Sequence, residues 1–364
     1  MRRPPVTSLP LLALVSIALA GPLVAGTSAY AGPGADRVAS AGVDTSADTA
    51  SPGVRHVFVP KAGRAVTARA DRVVGHGTPG SCTSRAVVRA VARGGVIHFN
   101  CGSEPVTIPM HHTARVMNTS HRVVLDGGGR VTLSGMGDRR ILYVNPCDRR
   151  NNGRLRNCQT VGRPRLVVQH LRLVRGHGRD EGFDGGGGAI LAYGGQLKVV
   201  DSTFVHNRCK RVGPDLGGGA IRVRFQPDPV FVVGSTFRGG RCSNGAAISG
   251  LNVSMRVLNS TFTRNRAIGY GANPARRGTP GGGSGGAIYG DGETYSIALG
   301  GTWMHDNHAR EGGGAVFYVS NDRSGRLHVR WSTLENNVSA GFETRPGIFY
   351  KGRGRIDVYQ SIIR

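Results

Sequence analysis

The chain has 364 residues, 58 of them glycine, and a formal net charge of +25. Glycine occurs at more than twice its usual share without the period of collagen, so a collagen-like rod is excluded and many tight turns are expected. The charge comes almost entirely from arginine and favours polyanionic partners. Codon bias in a GC-rich genome is an alternative source of the arginine, but it explains the scarcity of acids less well.

The N-terminus has the features of an export signal. Arg2 and Arg3 precede an apolar run at residues 9–20, and Ala29-Tyr30-Ala31 offers a cleavage site. This pattern predicts a signal peptide over residues 1–31, with an uncleaved membrane anchor as the alternative. No second apolar segment reaches membrane length, so the mature protein, with a charge of +23, is expected to be secreted and free of membrane spans.

Residues 32–70 begin with a segment rich in Ala, Ser, Gly and Thr, and they are predicted to be a disordered leader. Residues 71–364 are predicted to form one domain. This domain opens with a short amphipathic helix at 84–92 and a strand at 96–99. A helix here would cover the open end of a first coil, as terminal repeats of a solenoid require.

An eight-residue block recurs at 197–204, 230–237, 255–262, 297–304, 327–334 and 356–363. Its first, third and eighth positions are apolar and its second position varies freely, which predicts a strand with one buried face followed by a bend. An asparagine follows three residues later in four of the blocks. These residues are expected to form a hydrogen-bonded ladder and to adopt left-handed turn geometry, with glycine replacing asparagine in one coil: Asn207, Gly240, Asn265, Asn307, Asn337.

A second block of small residues followed by Ile or Val alternates with the first, as in Gly187-Gly188-Ala189-Ile190. We call it the GGAI block. Small residues before a strand permit a tight corner between two sheets. The alternation of the two blocks predicts an all-β fold: a single-domain, right-handed parallel β-helix solenoid with the short α-helix as its N-terminal cap.

The GGAI and Ser-Thr-Phe-x-x-Asn blocks resemble the repeats of polymorphic outer-membrane proteins. The helix followed by Asp126-Gly127-Gly128-Gly129 resembles the opening of secreted pectate-lyase-like β-helix proteins. The resemblance covers roughly residues 70–364 and implies the architecture rather than one activity, since this fold carries lyases, hydrolases, epimerases and adhesins.

Six cysteines in an exported chain predict three disulfides, for which fifteen pairings exist. The preferred set joins sequence neighbours or adjacent repeats: Cys82–Cys101, Cys147–Cys158 and Cys209–Cys242.

The GGAI strands supply the first candidate site. If Ile190, Ile221 and their equivalents point inward, the alternate residues form an exposed face. This face would carry arginines near its middle and aromatics toward its C-terminal end: Tyr193, Arg222, Arg224, Tyr289, Phe317 and Phe349. Aromatic rings suit sugars and arginine forks suit carboxylates. The alternative is that these side chains pack beneath a loop.

A charged loop supplies the second candidate site. Asp180, Glu181 and Asp184 lie close in sequence, and Lys198 and Asp201 follow on the next strand. The four carboxylates are candidate ligands of a divalent cation such as Ca²⁺, or an acid/base pair, and a solvated charged turn is the alternative.

These features give three hypotheses for function. The first is a lyase that cleaves a uronic-acid polymer. Arg222, Arg224 and Arg241 would neutralise the substrate carboxylate, alone or with Ca²⁺, and Lys198, Tyr193 or an arginine would remove the proton. The others are a glycoside hydrolase and a non-catalytic, adhesin-like protein that binds wall polymer.

Secretion leaves acidic polysaccharide, wall polymer and extracellular nucleic acid as candidate partners. The expected partner is an anionic polysaccharide or cell-wall polymer, and nucleic acid is not expected. The last residues, 361–364, lie inside a repeat strand and leave an open coil edge. Two molecules are expected to meet there unless an earlier segment covers the edge.

Overall fold

The computed structural model describes residues 53–180, 185–214, 216–271 and 279–364, and the predicted signal peptide lies outside them. The single α-helix in these ranges, Ser84–Arg93, confirms the predicted cap. The Thr83 hydroxyl accepts a hydrogen bond from the amide of Ala86, and the helix ends at Gly94 with φ of +73°. Val87 and Val91 bury its apolar side in the core. Short 3₁₀ turns occupy Lys61–Gly63, Pro79–Ser81 and Arg149–Asn151.

The strands form three parallel sheets that extend along the solenoid. The long sheet contains the eight-residue blocks, and a bend divides each block into two short strands. All strands of this sheet are Arg72–Val74, Gly95–Phe99, Val106–Pro109, Arg122–Ser134, Arg165–Val174, Gln196–Val200, Thr203–Val205, Val230–Val233, Thr236–Arg238, Met255–Leu258, Thr261–Thr263, Ser296–Gly300, Trp303–His305, Arg326–Arg330, Thr333–Glu335, Asp357–Tyr359 and Ile362–Ile363. The GGAI sheet contains Ala114–Arg115, Leu142–Val144, Ile190–Tyr193, Ile221–Arg224, Ile248–Leu251, Ile288–Gly292, Val316–Ser320 and Ile348–Lys351.

A third sheet was not predicted. Its strands are two residues long, and we call it the corner sheet: His177–Gly178, Arg208–Cys209, Arg241–Cys242, Arg266–Ala267, His308–Ala309 and Val338–Ser339. Equivalent residues of successive coils pair in register, as in Ile190 with Ile221 and Ile221 with Ile248. The protein is therefore a parallel β-helix, as the repeats predict.

The interior consists of columns of like side chains, one from each coil. Phe204, Phe237 and Phe262 are buried and stack face to face at 4.6 and 4.8 Å between ring centroids. These aromatic columns add offset-stacking energy to the burial of the rings. The single core runs continuously from the capping helix to Ile348.

The predicted asparagine ladder is present and buried. Asn265 Nδ2 donates to Asn307 Oδ1 at 2.9 Å, and Asn307 Nδ2 donates to Asn337 Oδ1 at 2.8 Å. The left-handed backbone geometry expected at the ladder residues themselves is found one residue earlier in the chain. The positive φ belongs to the residue before each ladder position, for example Gly239 at +63° before Gly240, because the chain must turn before the amide can point inward.

A second polar ladder, of hydroxyl groups, was missed. The Ser235 Oγ accepts from the amide of Ser202 at 3.2 Å, and the Ser260 Oγ accepts from the amide of Ser235 at 3.1 Å. These serines occupy the bend inside each eight-residue block, where the ladder of backbone hydrogen bonds is interrupted. Their side chains therefore satisfy buried amides that the sheet leaves open.

The three predicted disulfides are confirmed: Cys82–Cys101, Cys147–Cys158 and Cys209–Cys242. The last joins neighbouring strands of the corner sheet. Three disulfides are typical of an oxidising compartment. No helix within the described ranges is both long and apolar enough to cross a bilayer.

The predicted leader differs from the structure over its last part. Residues 55–68, which we call the strap, run over the outer face of the long sheet from the last coils toward the first. Two amide side chains hold the strap by its backbone. The Asn259 side chain accepts a hydrogen bond from the N–H of Val57 at 2.8 Å and donates one to its C=O at 2.9 Å. The Gln169 side chain does the same with the N–H and C=O of Val66, at 2.8 and 3.0 Å.

The strap also covers apolar side chains. Val66 and Ala68 pack on outward-facing Val96, Val124 and Val167, which are thereby buried. Ordering an exposed segment is opposed by backbone entropy. Here the buried valines and the hydrogen bonds of the two amide side chains offset that cost.

Candidate functional site

The inward assignment of the GGAI strands is confirmed, but the exposure predicted for the face's arginines is wrong. Ile221 and Val223 lie in the core, whereas Arg222 and Arg224 point away from it and are only 4% and 1% exposed. A Cβ built on Gly186 would lie 3.1 Å from Cδ of Arg222, so the segment that precedes the neighbouring strand packs directly on this side chain. Neither arginine can meet a polymer in solution.

Tyr193 is also buried. Its hydroxyl accepts a hydrogen bond from Gln159 Nε2, and its ring meets Phe225 edge-on at 5.7 Å. The loop that carries the Cys147–Cys158 disulfide lies against this end of the strand, since a Cβ on Gly194 would lie 2.3 Å from the Cys158 carbonyl oxygen. In the N-terminal coils of the GGAI face, the predicted site residues therefore pack beneath other segments, which was the alternative to an exposed face.

Lys198 lies on a different sheet from these three residues. It projects from the outer face of the long sheet and donates from Nζ to the Arg64 carbonyl oxygen of the chain segment above it, at 2.7 Å. Burial lowers the pKa of its amine. Lys198 is thus not brought together with Arg222 and Arg224, whereas Tyr193, the other candidate base, pairs in register with Arg224.

The aromatic part of the GGAI face lines a pocket of about 290 Å³. Tyr289 and Phe317 stack at 4.9 Å, Phe317 and Phe349 stack at 5.0 Å, and Phe342 stands at a right angle to Phe349. Since the stacked rings cover one another's faces, the pocket offers mainly ring edges. This geometry gives poor support to the predicted stacking of sugars on an open aromatic surface.

The two described members of the predicted carboxylate cluster have different partners. Asp180 pairs with Arg140 at 3.0 Å, whereas Asp201 lies at a bend of the long sheet, 3.7 Å from Nε2 of His170. Glu181 and Asp184 lie outside the described residues. In the described ranges no three His, Cys, Asp or Glu side chains are grouped as metal ligands would be.

The long sheet contains a pair that sequence reasoning missed. Nδ1 of His170 lies 2.9 Å from Oδ1 of Asp126, whose other oxygen accepts from Gln169 Nε2 at 2.7 Å. Burial raises the pKa of Asp126, but hydrogen bonds from Gln169, Gly128 and His170 outweigh it and lower the pKa overall. Because Gln169 also holds the strap, this pair is part of the strap's anchorage.

The corner sheet places three exposed arginines in one line. Arg208 pairs with Arg241, and Arg241 pairs with Arg266, in parallel register. Adjacent in-register strands lie about 4.8 Å apart, so the three side chains leave the surface at that interval. We call Arg208, Arg241 and Arg266 the arginine column. His177 and His308 occupy the equivalent positions in the coils on either side.

No acidic side chain in the described part of the chain neutralises the column's charge. Arg208 donates to the Gly137 carbonyl oxygen at 2.7 Å, and among the described residues no carboxylate pairs with any of the three. Acids on neighbouring turns are otherwise engaged, as Asp306 is with His305. Like charges on adjacent strands destabilise a sheet, so the fold alone does not explain this arrangement.

The positive charge of the column affects the pKa of the flanking histidines. Burial and the charge of Arg208 lower the pKa of His177 most. The hydrogen bond to the Gly137 carbonyl and the charge of Asp138 oppose this shift, and the charge of Arg179 adds to it. Burial and the charge of Arg266 lower the pKa of His308. Both imidazoles are therefore neutral at neutral pH.

No protein-family model, curated protein or solved structure matches the chain. The function must therefore be argued from the geometry. Arg241 was among the predicted substrate-binding residues, and Arg208 and Arg266 were not. The signal that would have found them is the arginine that follows three of the five ladder positions: Asn207-Arg208, Gly240-Arg241 and Asn265-Arg266.

Proposed function

We propose that this protein is a secreted β-helix that binds an acidic polysaccharide through the arginine column, without cleaving it. The observation that supports this proposal is the line of three exposed, in-register arginines with no carboxylate partner in the described part of the chain. A linear series of cations suits a linear polyanion, since one charge of the polymer can meet each coil. Arginine adds a planar fork that fits carboxylate or sulfate groups.

The choice of binding over turnover follows from where the expected catalytic groups lie. Arg222, Arg224 and Tyr193 are buried, and Lys198 is hydrogen-bonded on another sheet. None of them lies on the corner sheet with Arg241. The lyase hypothesis requires these groups around one sugar unit, whereas binding requires only the exposed column.

The test compares two triple variants that lose the same charge. The first, Arg208→Gln/Arg241→Gln/Arg266→Gln, removes the column, and the matched control removes the exposed Arg345, Arg353 and Arg355. Binding to polygalacturonate, alginate and dextran sulfate is measured across a salt series. Exposed charge contacts contribute up to about 1 kcal/mol each, so loss of the column should weaken binding about tenfold or more and flatten the salt dependence.

Two results would overturn the proposal. Equal weakening in both triple variants would show that net charge binds the polymer, as expected if the arginine content only reflects codon usage. Unsaturated uronate, followed by ultraviolet absorbance with and without calcium, would show that the protein is a lyase. If Arg222→Ala/Arg224→Ala abolished that lyase activity, the active site would be the one predicted on the GGAI face.

A further inference from the structure

A second group of unpaired arginines lies at the N-terminal coils. Arg93, Arg122, Arg163 and Arg165, with His121, line an open depression of about 820 Å³. We call these four arginines the arginine basin. All four side chains are exposed. Arg93 ends the capping helix, whereas Arg122 and Arg165 begin neighbouring strands of the long sheet and pair in register.

The basin, like the column, lacks compensating acids. None of its four guanidinium groups has a carboxylate partner within the described ranges. The nearby Asp71 forms no ion pair with any of the four among the described residues, and its Oδ2 accepts a hydrogen bond from the amide of Val96 at 2.7 Å. Four cations at one depression repel each other, and a bound anion would relieve that repulsion.

The same coils neutralise other arginines, so the lack of acids at the basin is local. Arg115 and Arg150 both pair with Asp148, the latter at 2.9 Å, and Arg140 pairs with Asp180. Burial raises the pKa of Asp148, but these two arginines and the Tyr143 hydroxyl hold it well below its usual range. The N-terminal coils therefore contain both matched arginines and an unmatched group.

The basin lies where strands of the long sheet begin, and the column lies on the corner sheet, beyond the point where the long-sheet strands end. The strand Arg165–Val174 begins at the basin and leads to His177, beside the column. Ten residues of strand span roughly 30 Å, so one sulfate or carboxylate group cannot contact both sites. Two separate segments of an anionic polymer can.

We infer that the arginine basin is a second polyanion site and that the protein cross-links chains of acidic polysaccharide. The inference rests on the proposed function and adds an activity to it: one molecule engages one chain at the column and another at the basin. The ligand class at the basin is a carboxylated or sulfated polymer segment. With two sites, the assembled network gains in avidity beyond either site alone.

The test measures binding and cross-linking separately. Binding of one chain is followed with fluorescent dextran sulfate, and cross-linking is followed by light scattering when protein and long dextran sulfate are mixed. The variants are the column triple, the basin quadruple Arg93→Gln/Arg122→Gln/Arg163→Gln/Arg165→Gln, and the control triple at Arg345, Arg353 and Arg355. Because every replaced side chain is exposed, circular dichroism should match the wild type.

The wild type should scatter strongly, and the basin variant should still bind one chain while its scattering falls at least tenfold. The control triple should scatter like the wild type. An excess of a short sulfated oligosaccharide should disperse the wild-type network without any mutation. Sedimentation of the protein alone should show the same mass for the wild type and the basin variant.

Three outcomes would overturn the inference. Full scattering by the basin variant would show that the basin is not a polymer site, and binding without scattering by the wild type would exclude cross-linking. A wild-type dimer that the basin variant fails to form would assign the cross-linking to two columns. In each case column-dependent binding would leave the proposed function standing, whereas a column variant that binds like the wild type would remove it.

Discussion

Replacing Asn265 with alanine tests whether the buried amide ladder stabilises the solenoid. Asn265 Oδ1 accepts from the amide of Gly240 at 2.9 Å, and its Nδ2 donates to the Phe237 carbonyl oxygen at 3.0 Å and to Asn307 Oδ1 at 2.9 Å. The side chain thus connects the coil before it to the coil after it. Alanine removes all three hydrogen bonds at once.

The expected cost follows from the groups left behind. The Gly240 N–H would remain buried without a partner, at about 1–3 kcal/mol. The Phe237 C=O lies in the strand Thr236–Arg238, whose parallel pairing with Thr261–Thr263 still supplies a backbone donor, and Asn307 Oδ1 would keep the hydrogen bond from the backbone amide of residue 265, at 3.0 Å, so both add little. The expected cost is therefore about 1–3 kcal/mol, a substantial part of the roughly 5–15 kcal/mol that stabilises a typical domain.

The assay is equilibrium unfolding in urea, followed by the fluorescence of Trp303 in a Trp331→Phe background. Trp303 pairs with Thr261 on the strand that leads to Asn265, so its emission reports on these coils. The control is Asn100→Ala at an exposed position, where the change should be within about 0.5 kcal/mol. If Asn265→Ala unfolds at the same urea concentration as this control, the ladder does not stabilise the fold and the reasoning fails.

Three further predictions follow from other contacts. Burial and nearby arginines lower the pKa of His177 and His308, so both rings should gain charge only as the pH falls below the ordinary histidine value of about 6.5. Binding of dextran sulfate, whose charge does not titrate, should therefore tighten in a titration from pH 7 into the acid range. His177→Gln/His308→Gln should abolish this pH effect, and an unchanged effect in that variant would contradict the prediction. The lowered pKa of Asp148 stabilises the fold fully above the unfolded value near 4, and this stabilisation is lost as the pH falls from there through the folded value. Asp148→Asn should therefore lower the melting temperature most at pH 7 and progressively less as the pH is lowered below about 4. Asn259→Ala removes two hydrogen bonds to the strap, of about 1 kcal/mol each. Because cleavage follows the population of the open strap, trypsin should cut the strap about 30-fold faster. An unchanged rate would show that Asn259 does not hold the strap.

The sequence predicted those parts of the fold that depend on repetition. Period-two apolar positions and the spacing of the GGAI blocks specify parallel strands in register, and that register is why Cys209 and Cys242 could be paired in advance. The corner sheet was missed because a two-residue strand shows no periodicity. The serine ladder was missed because a bend between strands does not reveal whether its hydroxyl faces inward.

The candidate site was predicted less well, since it depends on contacts between distant segments. Alternation correctly placed Arg222 and Arg224 outside the core, but no local pattern shows that another segment covers them. The strap was read as leader because its partners, Gln169 and Asn259, are single amides more than a hundred residues away. Arg241 was chosen for its charge, and only the register shows that it belongs to a column.

The direction of the strap has a consequence for the order of folding. It is the first part of the described chain to be synthesised, yet the Arg55 amide donates to the Trp331 carbonyl oxygen, in one of the last coils. Contacts between residues so far apart in sequence form slowly, because a long loop must close before they stabilise anything. The strap can therefore dock along its full length only after the coil that contains Trp331 has formed, whereas Val66 and Ala68 need only the N-terminal coils that carry Val96, Val124 and Val167. Complete docking of the strap thus depends on coils from both ends of the solenoid.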